Sequence, residues 1–182
     1  MTSSSTLDRG TLLGLLREVG QLLVEHEATA SIHVIGGAAM VLEFDSRRMT
    51  RDVDAVLRSE GGNFWKAIAT VTRRHGLPPD WLNTNAAAFL PNDEDENASE
   101  LNFPGLTVSV ASAEHLMAMK LRAMRDRDIA DLMILFGHLG IETPEQAAAI
   151  HDRLFDESAI GYVPESEVLY AAELVLARIQ QS

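Results

Sequence analysis

Cysteine is absent from this 182-residue chain, which excludes disulfide bonds and thiolate metal sites and is typical of a reducing compartment. No apolar run approaches the roughly 20 residues that a membrane-spanning helix needs. The first ten residues are polar and contain no basic segment followed by an apolar one, so we expect no signal peptide. These absences predict a soluble, cytoplasmic protein that does not enter membranes.

Basic residues are scarce: 15 Lys and Arg face 27 Asp and Glu, which gives a net charge of -12. This balance argues against a protein that coats nucleic acid non-specifically, although it allows a local basic patch. The sequence also lacks the H-E-x-x-H pattern of zinc proteases and the G-x-S-x-G pattern of serine hydrolases. Common hydrolase chemistry is therefore not indicated.

Apolar residues make up 46% of the chain, which is enough for a substantial core. Their spacing alternates between strand and helix periods along the first two thirds and is helical afterwards. The pattern predicts an α/β (α+β) fold, with a small mixed β-sheet flanked by helices and a helical C-terminal part. We expect a core over residues 1–140 and a helical segment over 141–182, packed together as one compact domain. The predicted helices cover about 7–27, 38–44, 64–74, 112–124, 126–138, 144–155 and 165–180, and the predicted strands cover 31–35, 52–57, 101–103 and 106–110.

Two aspartates stand two residues apart in a strand-like segment. Side chains at this spacing share one face of a strand, about 6–7 Å apart at their Cα atoms. Asp52 and Asp54 could therefore hold Mg²⁺ or Mn²⁺, because hard cations take carboxylate oxygens. The alternative is the exposed face of an edge strand. The apolar residues between and after the aspartates favour an internal strand, where an unpaired charge is costly.

A glycine pair and an arginine cluster precede these aspartates. Gly36 and Gly37 lie where a predicted strand meets a predicted helix, and there the backbone can approach a phosphate closely. Gly-Gly is also common in ordinary turns. Arg48 and Arg51 could contact phosphate or RNA, or they could offset the neighbouring acids.

A lysine and two aspartates follow on predicted helices. Asp128 and Asp131 share a helix face, whereas Lys120 would be about 16 Å from Asp131 if the helix were continuous. The three side chains can converge only if the chain bends between them, and Arg125-Asp126 is the predicted bend, with Asp126 as the N-cap. Solvated charges on two amphipathic helices are the alternative.

Together these motifs resemble the polymerase-β-like nucleotidyltransferases. The resemblance lies in Ile35-Gly36-Gly37, followed by Thr50-Arg51-Asp52-Val53-Asp54-Ala55. The later Lys120 and Asp128-x-x-Asp131 elements are similar to those of AbiEii-type toxin nucleotidyltransferases, including the MenT tRNA-modifying group. The resemblance covers roughly residues 31–57 and 106–135.

The resemblance implies a role for each of these residues. Gly36, Gly37, Arg48, Arg51, Lys120 and Asp128 would bind the nucleotide, Asp52 and Asp54 would hold Mg²⁺ (or Mn²⁺), and the catalytic set would be Asp52, Asp54, Lys120 and Asp131. The protein would transfer NMP from an NTP to an RNA acceptor, most simply a tRNA 3′ end, as the toxin of a toxin–antitoxin pair with a cognate antitoxin protein as partner.

One departure leaves other functions open. Many members of the superfamily place a third carboxylate on a later strand, but the strand here offers only Thr107 and Ser109 on its polar face. Either Asp128 or Asp131 replaces that acid, or the protein binds nucleotide with little or no transfer. Transfer to a protein or a small-molecule acceptor is a further alternative that suits the negative net charge.

Overall fold

The computed structural model describes residues 6–44, 49–60, 62–91, 93–156 and 159–181. The chain divides into two compact units: Met1–Ala87 with Ala98–Ala111 form unit 1, and Ala88–Asn97 with Ser112–Ser182 form unit 2. The predicted mixed α/β fold with helices around a small mixed sheet is confirmed. The predicted boundary at residue 140 stays a prediction.

The helices and strands follow the predicted order closely. The described helices are α1 (Arg9–Glu25), α2 (Gly36–Ala39), α3 (Phe64–His75), α4 (Ala113–Ala123), α5 (Ile129–Leu139), α6 (Pro144–Leu154) and α7 (Glu165–Gln180). The described strands are β1 (Ala30–Ile35), β2 (Val53–Glu60), β3 (Leu82–Asn83), β4 (Ser99–Phe103) and β5 (Leu106–Val110). Short 3-10 turns cover Ala87–Phe89 and Asp126–Asp128, and a π-helical turn at Met40–Phe44 continues α2.

Unit 1 contains one five-stranded mixed sheet in the order β3-β2-β1-β5-β4. β1 is central and pairs antiparallel with β2 and parallel with β5. The register aligns Val34 with both Ala55 and Val110, and all three side chains are fully buried. These residues mark the apolar face of the sheet, because side chains on a strand alternate between its two faces.

Helix α1 covers this apolar face. Its leucines recur at helical spacing and point inward, and the side chain of Asp8 caps the helix by accepting the N–H of Thr11 at 2.7 Å. Gly20 lets α1 approach the β4–β5 turn, since a Cβ there would lie 2.4 Å from the carbonyl oxygen of Pro104. α3 packs beside α1. The opposite face of the sheet carries more polar side chains, including His33 and Asp54.

Unit 2 is helical and packs α4 against α5, α6 and α7. Helix α6 begins with a capping box, in which Thr143 and Gln146 each bond the other's backbone. Arg122 on α4 lies 4.3 Å above the ring of Phe155 and donates hydrogen bonds to the carbonyl oxygens of Ile160 and Gly161. Burial lowers the pKa of Arg122. These contacts join α4 to the chain that follows α6.

Residues 91–100 have the acidic composition of an exposed loop, but the structure differs from that expectation in two ways. Its last two residues form the start of β4. The side chain of Asp95 is 3% exposed, although a solvated acidic run was expected. Composition alone could not show this, because one carboxylate of the run is buried by bonds to residues far along the sequence.

Candidate functional site

The turn after β1 has a backbone that only glycine adopts without strain. Gly36 has a φ of +64°, and a Cβ built on it would lie 3.0 Å from Oδ2 of Asp54. A Cβ on Gly37 would lie 2.9 Å from Oγ1 of Thr50. The two glycines therefore let β2 and the segment before it pack directly against the β1–α2 backbone.

Asp54 lies inside the sheet, as predicted. Its backbone is paired with Ile35 of β1 on one side and with Asn83 of β3 on the other. Its side chain is half-buried on the polar face, opposite the buried side chains of Val53 and Ala55. The edge-strand alternative is therefore wrong at this position.

The predicted strand included Asp52, but β2 begins at Val53, so Asp52 lies one residue before the strand. It is exposed, and its carbonyl oxygen accepts a hydrogen bond from Thr50 Oγ1 at 3.0 Å. Thr50 also pairs with Leu7 through two backbone hydrogen bonds. The segment that carries Asp52 thus packs against Gly37 and is hydrogen-bonded to Leu7, the residue before the N-cap of α1.

The predicted phosphate-binding arginines lie next to Asp52 in the sequence. Arg51 is exposed. Arg48 lies outside the described residues. Arg51 and Asp52 are both exposed residues of the segment between Thr50 and β2 in unit 1.

Unit 2 contains the second predicted group, and its three members converge. Lys120 Nζ lies 2.8 Å from Oδ1 of Asp128 and 2.7 Å from Oδ2 of Asp131. The side chains are 9%, 11% and 4% exposed, so this is a buried charge cluster rather than a solvated face. The alternative of solvated charges on two helices is wrong for these residues.

The chain bends between α4 and α5 as the convergence requires. Met124 ends α4 in the left-handed conformation, with a φ of +45°, and Arg125 then adopts an extended backbone. Asp126 lies inside the 3-10 turn, so its predicted role as the N-cap is wrong: the N-cap is Arg125 for that turn and Asp128 for α5. Asp128 bonds the lysine, and its side chain makes no capping hydrogen bond.

Sequence reasoning missed a buried histidine on the polar face of the sheet. His33 is 2% exposed, and its Nδ1 lies 2.9 Å from Oγ of Ser109 on the neighbouring strand. The register places Asp54 diagonally from His33 on the same face. The sequence did contain a signal for this polar face. Two otherwise apolar strands carry polar residues at alternate positions, Ser31 and His33 on β1 and Thr107 and Ser109 on β5.

The polar face also has an acid on β4. Glu100 is aligned with Ser109 and accepts a hydrogen bond from Asn102 at 2.7 Å. It lies three strands from Asp54, which is about 14 Å at the usual strand spacing. Glu100 is therefore too far away to ligate an ion that Asp54 holds. On β5, which pairs with β1, the polar face offers only the hydroxyl groups of Thr107 and Ser109, as the sequence predicts.

Asp95 fixes the start of α4, the helix that carries Lys120. Its Oδ2 accepts the N–H of Ser112 at 2.8 Å, and its Oδ1 lies 3.3 Å from Nδ1 of His115. Ser112 is the N-cap of α4 and accepts the N–H of His115. The acidic loop is thereby bonded to the first turn of the helix.

Comparison with known families is consistent with this chemistry. A family model described as nucleotidyltransferase of unknown function (DUF6036) matches residues 10–163. No curated protein and no solved structure matches the chain. None of the described helices is both long and apolar enough to cross a membrane.

Proposed function

The chain belongs to the DUF6036 nucleotidyltransferases, and from that premise we propose that it transfers NMP from an NTP to an RNA acceptor. The observation that carries the proposal is the contact of Asp54 with the Gly36 turn. A carboxylate held against an open backbone turn suits a nucleotide triphosphate, whose phosphates bind both backbone N–H groups and carboxylate-held cations.

Asp52 and Asp54 fit a Mg²⁺ or Mn²⁺ ion chemically. Both are oxygen donors, and neither lies in the apolar core. Within the described ranges, no three His, Cys, Asp or Glu side chains form a metal-binding group. Protein carboxylates would therefore supply only part of the coordination, as is usual for Mg²⁺ sites that also take water and substrate phosphates. When bound, such an ion supplies charge stabilisation to the transferring phosphoryl group.

The other residues would position the triphosphate. In this proposal, the backbone at Gly36 and Gly37 approaches the phosphates, and Arg51 and Arg48 contact phosphate or RNA. Asp128 and Asp131 orient the Lys120 ammonium, which carries three N–H donors, so a donor can be directed at a phosphate oxygen. A lysine held by two carboxylates is better positioned than a solvated one, because fewer of its rotamers remain accessible.

The transfer itself is a displacement at phosphorus. The oxygen of the acceptor hydroxyl forms a bond to the α-phosphorus of the NTP. The bond between the α-phosphorus and the bridging oxygen to the β-phosphorus breaks, and pyrophosphate leaves with the electron pair. The hydroxyl proton is lost to solvent. Catalysis of this kind depends chiefly on positioning and on charge stabilisation.

We further propose that the acceptor is the 3′ end of tRNA and that the protein is the cytoplasmic toxin of a toxin–antitoxin pair. The support is the similarity of the Lys120 and Asp128-x-x-Asp131 elements to AbiEii- and MenT-type toxins. Induced expression should then arrest growth, and Asp54→Asn should relieve the arrest. Equal arrest by both proteins at equal abundance would contradict the toxin assignment.

Label transfer tests the enzymatic proposal. The protein is incubated with Mg²⁺, each of four α-³²P NTPs, and total tRNA, and the label is followed on a denaturing gel. We expect label on tRNA with the wild type and none with Asp54→Asn. Label on protein or on a small molecule instead of tRNA would show that the acceptor is not RNA.

A nucleotide-binding protein without transfer is the second candidate, because β5 offers hydroxyls where many nucleotidyltransferases have an acid. This candidate predicts that NTP binds in calorimetry and that no acceptor is labelled. Introducing the acid by Ser109→Asp would then be the informative variant. Transfer by the wild type would exclude this candidate.

A further inference from the structure

We propose that the exposed face of α3 is a docking surface for the acceptor RNA. The α3 face consists of Trp65, Lys66, Ala69 and Arg73. This inference rests on the proposed function, because it assigns the surface to the RNA that would be modified. It differs from the nucleotide site in using residues on the other side of the sheet.

The sequence around α3 has an unusual charge for this protein. Residues 61–79 contain no Asp or Glu, although the chain has 27 of them, and they contain Lys66, Arg73 and Arg74. A net charge of -12 would repel RNA over most of the surface. A phosphate backbone therefore needs a local region such as this one in order to bind.

The α3 face lies on the side of the helix opposite its buried residues. The buried side is formed by Phe64, Ala67, Ile68 and Val71, which pack inward. Lys66 and Arg73 are seven residues apart, so they lie on one line along the helix, about 10 Å from each other. Trp65 is 44% exposed beside Lys66, and its ring is held edge-on against Phe64.

The cations of the α3 face are available to a ligand. Glu18 of α1 bonds Arg74 at 2.8 Å and His75 at 2.6 Å, so those two side chains already have a carboxylate partner. Lys66 donates to the amide oxygen of Asn63, and Arg73 donates to the carbonyl oxygen of Ala69. Within the described part of the chain, neither of these two cations pairs with a carboxylate. A phosphate at Lys66 or Arg73 would therefore replace a neutral hydrogen-bond acceptor.

Direct contacts connect the end of α3 to the strand that carries Asp54. Trp81 donates its indole N–H to Oγ1 of Thr72 at 2.9 Å, and its carbonyl oxygen accepts the N–H of Val53 at 2.6 Å. Val53 immediately precedes Asp54. The chain therefore brings the last turn of α3, with Arg73, to the same end of the sheet as Asp54, around the short edge strand β3.

An aromatic ring beside two cations suits single-stranded nucleic acid. A base can stack on Trp65 while Lys66 and Arg73 contact phosphates, an arrangement that binds without strong sequence preference. An anionic membrane surface or an acidic protein could also use cations and a tryptophan. Only RNA would also connect this surface to the reaction at Asp54, and for that reason we assign the surface to RNA.

The experiment measures RNA binding directly, without requiring catalysis. Fluorescein-labelled total tRNA is titrated with the wild type, Trp65→Ala, and the double variant Lys66→Gln/Arg73→Gln, and anisotropy gives Kd. The matched controls are Leu174→Ala and Arg178→Gln, which change an exposed apolar residue and an exposed cation of unit 2. Circular dichroism melting confirms that each variant is folded, and calorimetry checks that NTP affinity is unchanged.

We expect Kd for tRNA to rise by about tenfold in Trp65→Ala, within the range known for base stacking. The double variant should lower the slope of log K against log salt by about 1.4, since two single-strand phosphate contacts are lost. The controls should bind as the wild type does. Unchanged Kd in both α3 variants would overturn the inference. Binding of the same proteins to phosphatidylserine vesicles is measured in parallel. α3 variants that bind these vesicles more weakly but keep their affinity for tRNA would also overturn the inference.

The same proteins separate this inference from the proposed function. If the wild type labels no RNA but the α3 variants bind tRNA more weakly, the α3 face binds RNA and the transfer proposal fails. If the wild type labels tRNA and the α3 variants keep its Kd and KM, transfer holds and the α3 face is not the docking surface.

Discussion

Oδ2 of Asp54 lies 3.0 Å from the position that a Cβ on Gly36 would occupy. Gly36 begins α2 directly after β1, and it meets Asp54 because Ile35, the last residue of β1, is paired with Asp54 in the antiparallel register. Gly36 is therefore required both for its φ of +64° and for the space that its missing side chain leaves. A carboxylate is thereby held against the backbone of a turn.

Gly36→Ala should destabilise the protein by about 1–2 kcal/mol, because an L-residue at this φ is strained. The added methyl group should also displace Asp54 and lower transfer more than the loss of folded protein explains. Gly14→Ala in α1 is the control, since its Cβ meets nothing within 4 Å and should stabilise the helix by about 0.5–1 kcal/mol. Urea unfolding measures both; equal stability of the two variants would contradict the contact.

Lys120→Met should cost about 3–5 kcal/mol, because it leaves Asp128 and Asp131 buried without their cation. The chain has only one other lysine, Lys66, which is exposed. Lys66→Met should therefore change stability by no more than about 0.5 kcal/mol. Urea midpoints at a common slope give the comparison. A Lys120→Met protein as stable as wild type would mean that the cluster is not a buried ion pair.

The sequence was informative wherever local signals agreed. Ser112 and the Thr143–Gln146 capping box mark helix starts that the structure has, and Gly76 and Gly140 end α3 and α5 in the left-handed conformation. For Lys120 and its two aspartates, the sequence predicted only that they converge if the chain bends between the two helices.

Long-range pairing was not predictable in the same way. Helical or strand periodicity does not reveal which strands are neighbours, so the contact between His33 and Ser109 was missed. Asp95 was missed for a related reason. An acidic run has the composition of a solvated loop, and only the fold shows that one of its carboxylates bonds the backbone of Ser112.

Asp95→Ala should destabilise unit 2 by about 1–3 kcal/mol, because the N–H of Ser112 loses its buried carboxylate acceptor. Asp93→Ala, which removes an exposed acid of the same loop, should stay within about 0.5 kcal/mol of wild type. Hydrogen exchange should show faster exchange in the first turn of α4 for Asp95→Ala only. Equal protection in both variants would count against the bond.

Glu18 should make a small pH-dependent contribution to stability. Hydrogen bonds from Arg74 and then from His75 hold the pKa of Glu18 below its ordinary value of about 4.5. A carboxyl group whose pKa is lowered by folding stabilises the protein above its unfolded pKa, and this contribution is lost as the pH falls through the folded pKa.

The matched variant is Glu18→Gln, compared with wild type by thermal melting between pH 3 and pH 6. Wild type should be more stable by about 0.5–1 kcal/mol at pH 6, a modest value because the pair is partly exposed. The difference should shrink below about pH 4.5 as the carboxyl group is protonated. A difference that grows toward acid pH would have the wrong sign for this ion pair.

The most direct test of nucleotidyl transfer compares two positions of the label. Wild-type protein with Mg²⁺ and total tRNA is given NTP labelled at the α-phosphate or at the γ-phosphate, alongside Asp54→Asn. We predict that the α-label enters tRNA, that the γ-label appears only in released pyrophosphate, and that Asp54→Asn transfers neither. Incorporation of the γ-label, or α-label incorporation that survives in Asp54→Asn, would contradict a nucleotidyltransferase that acts through Asp54.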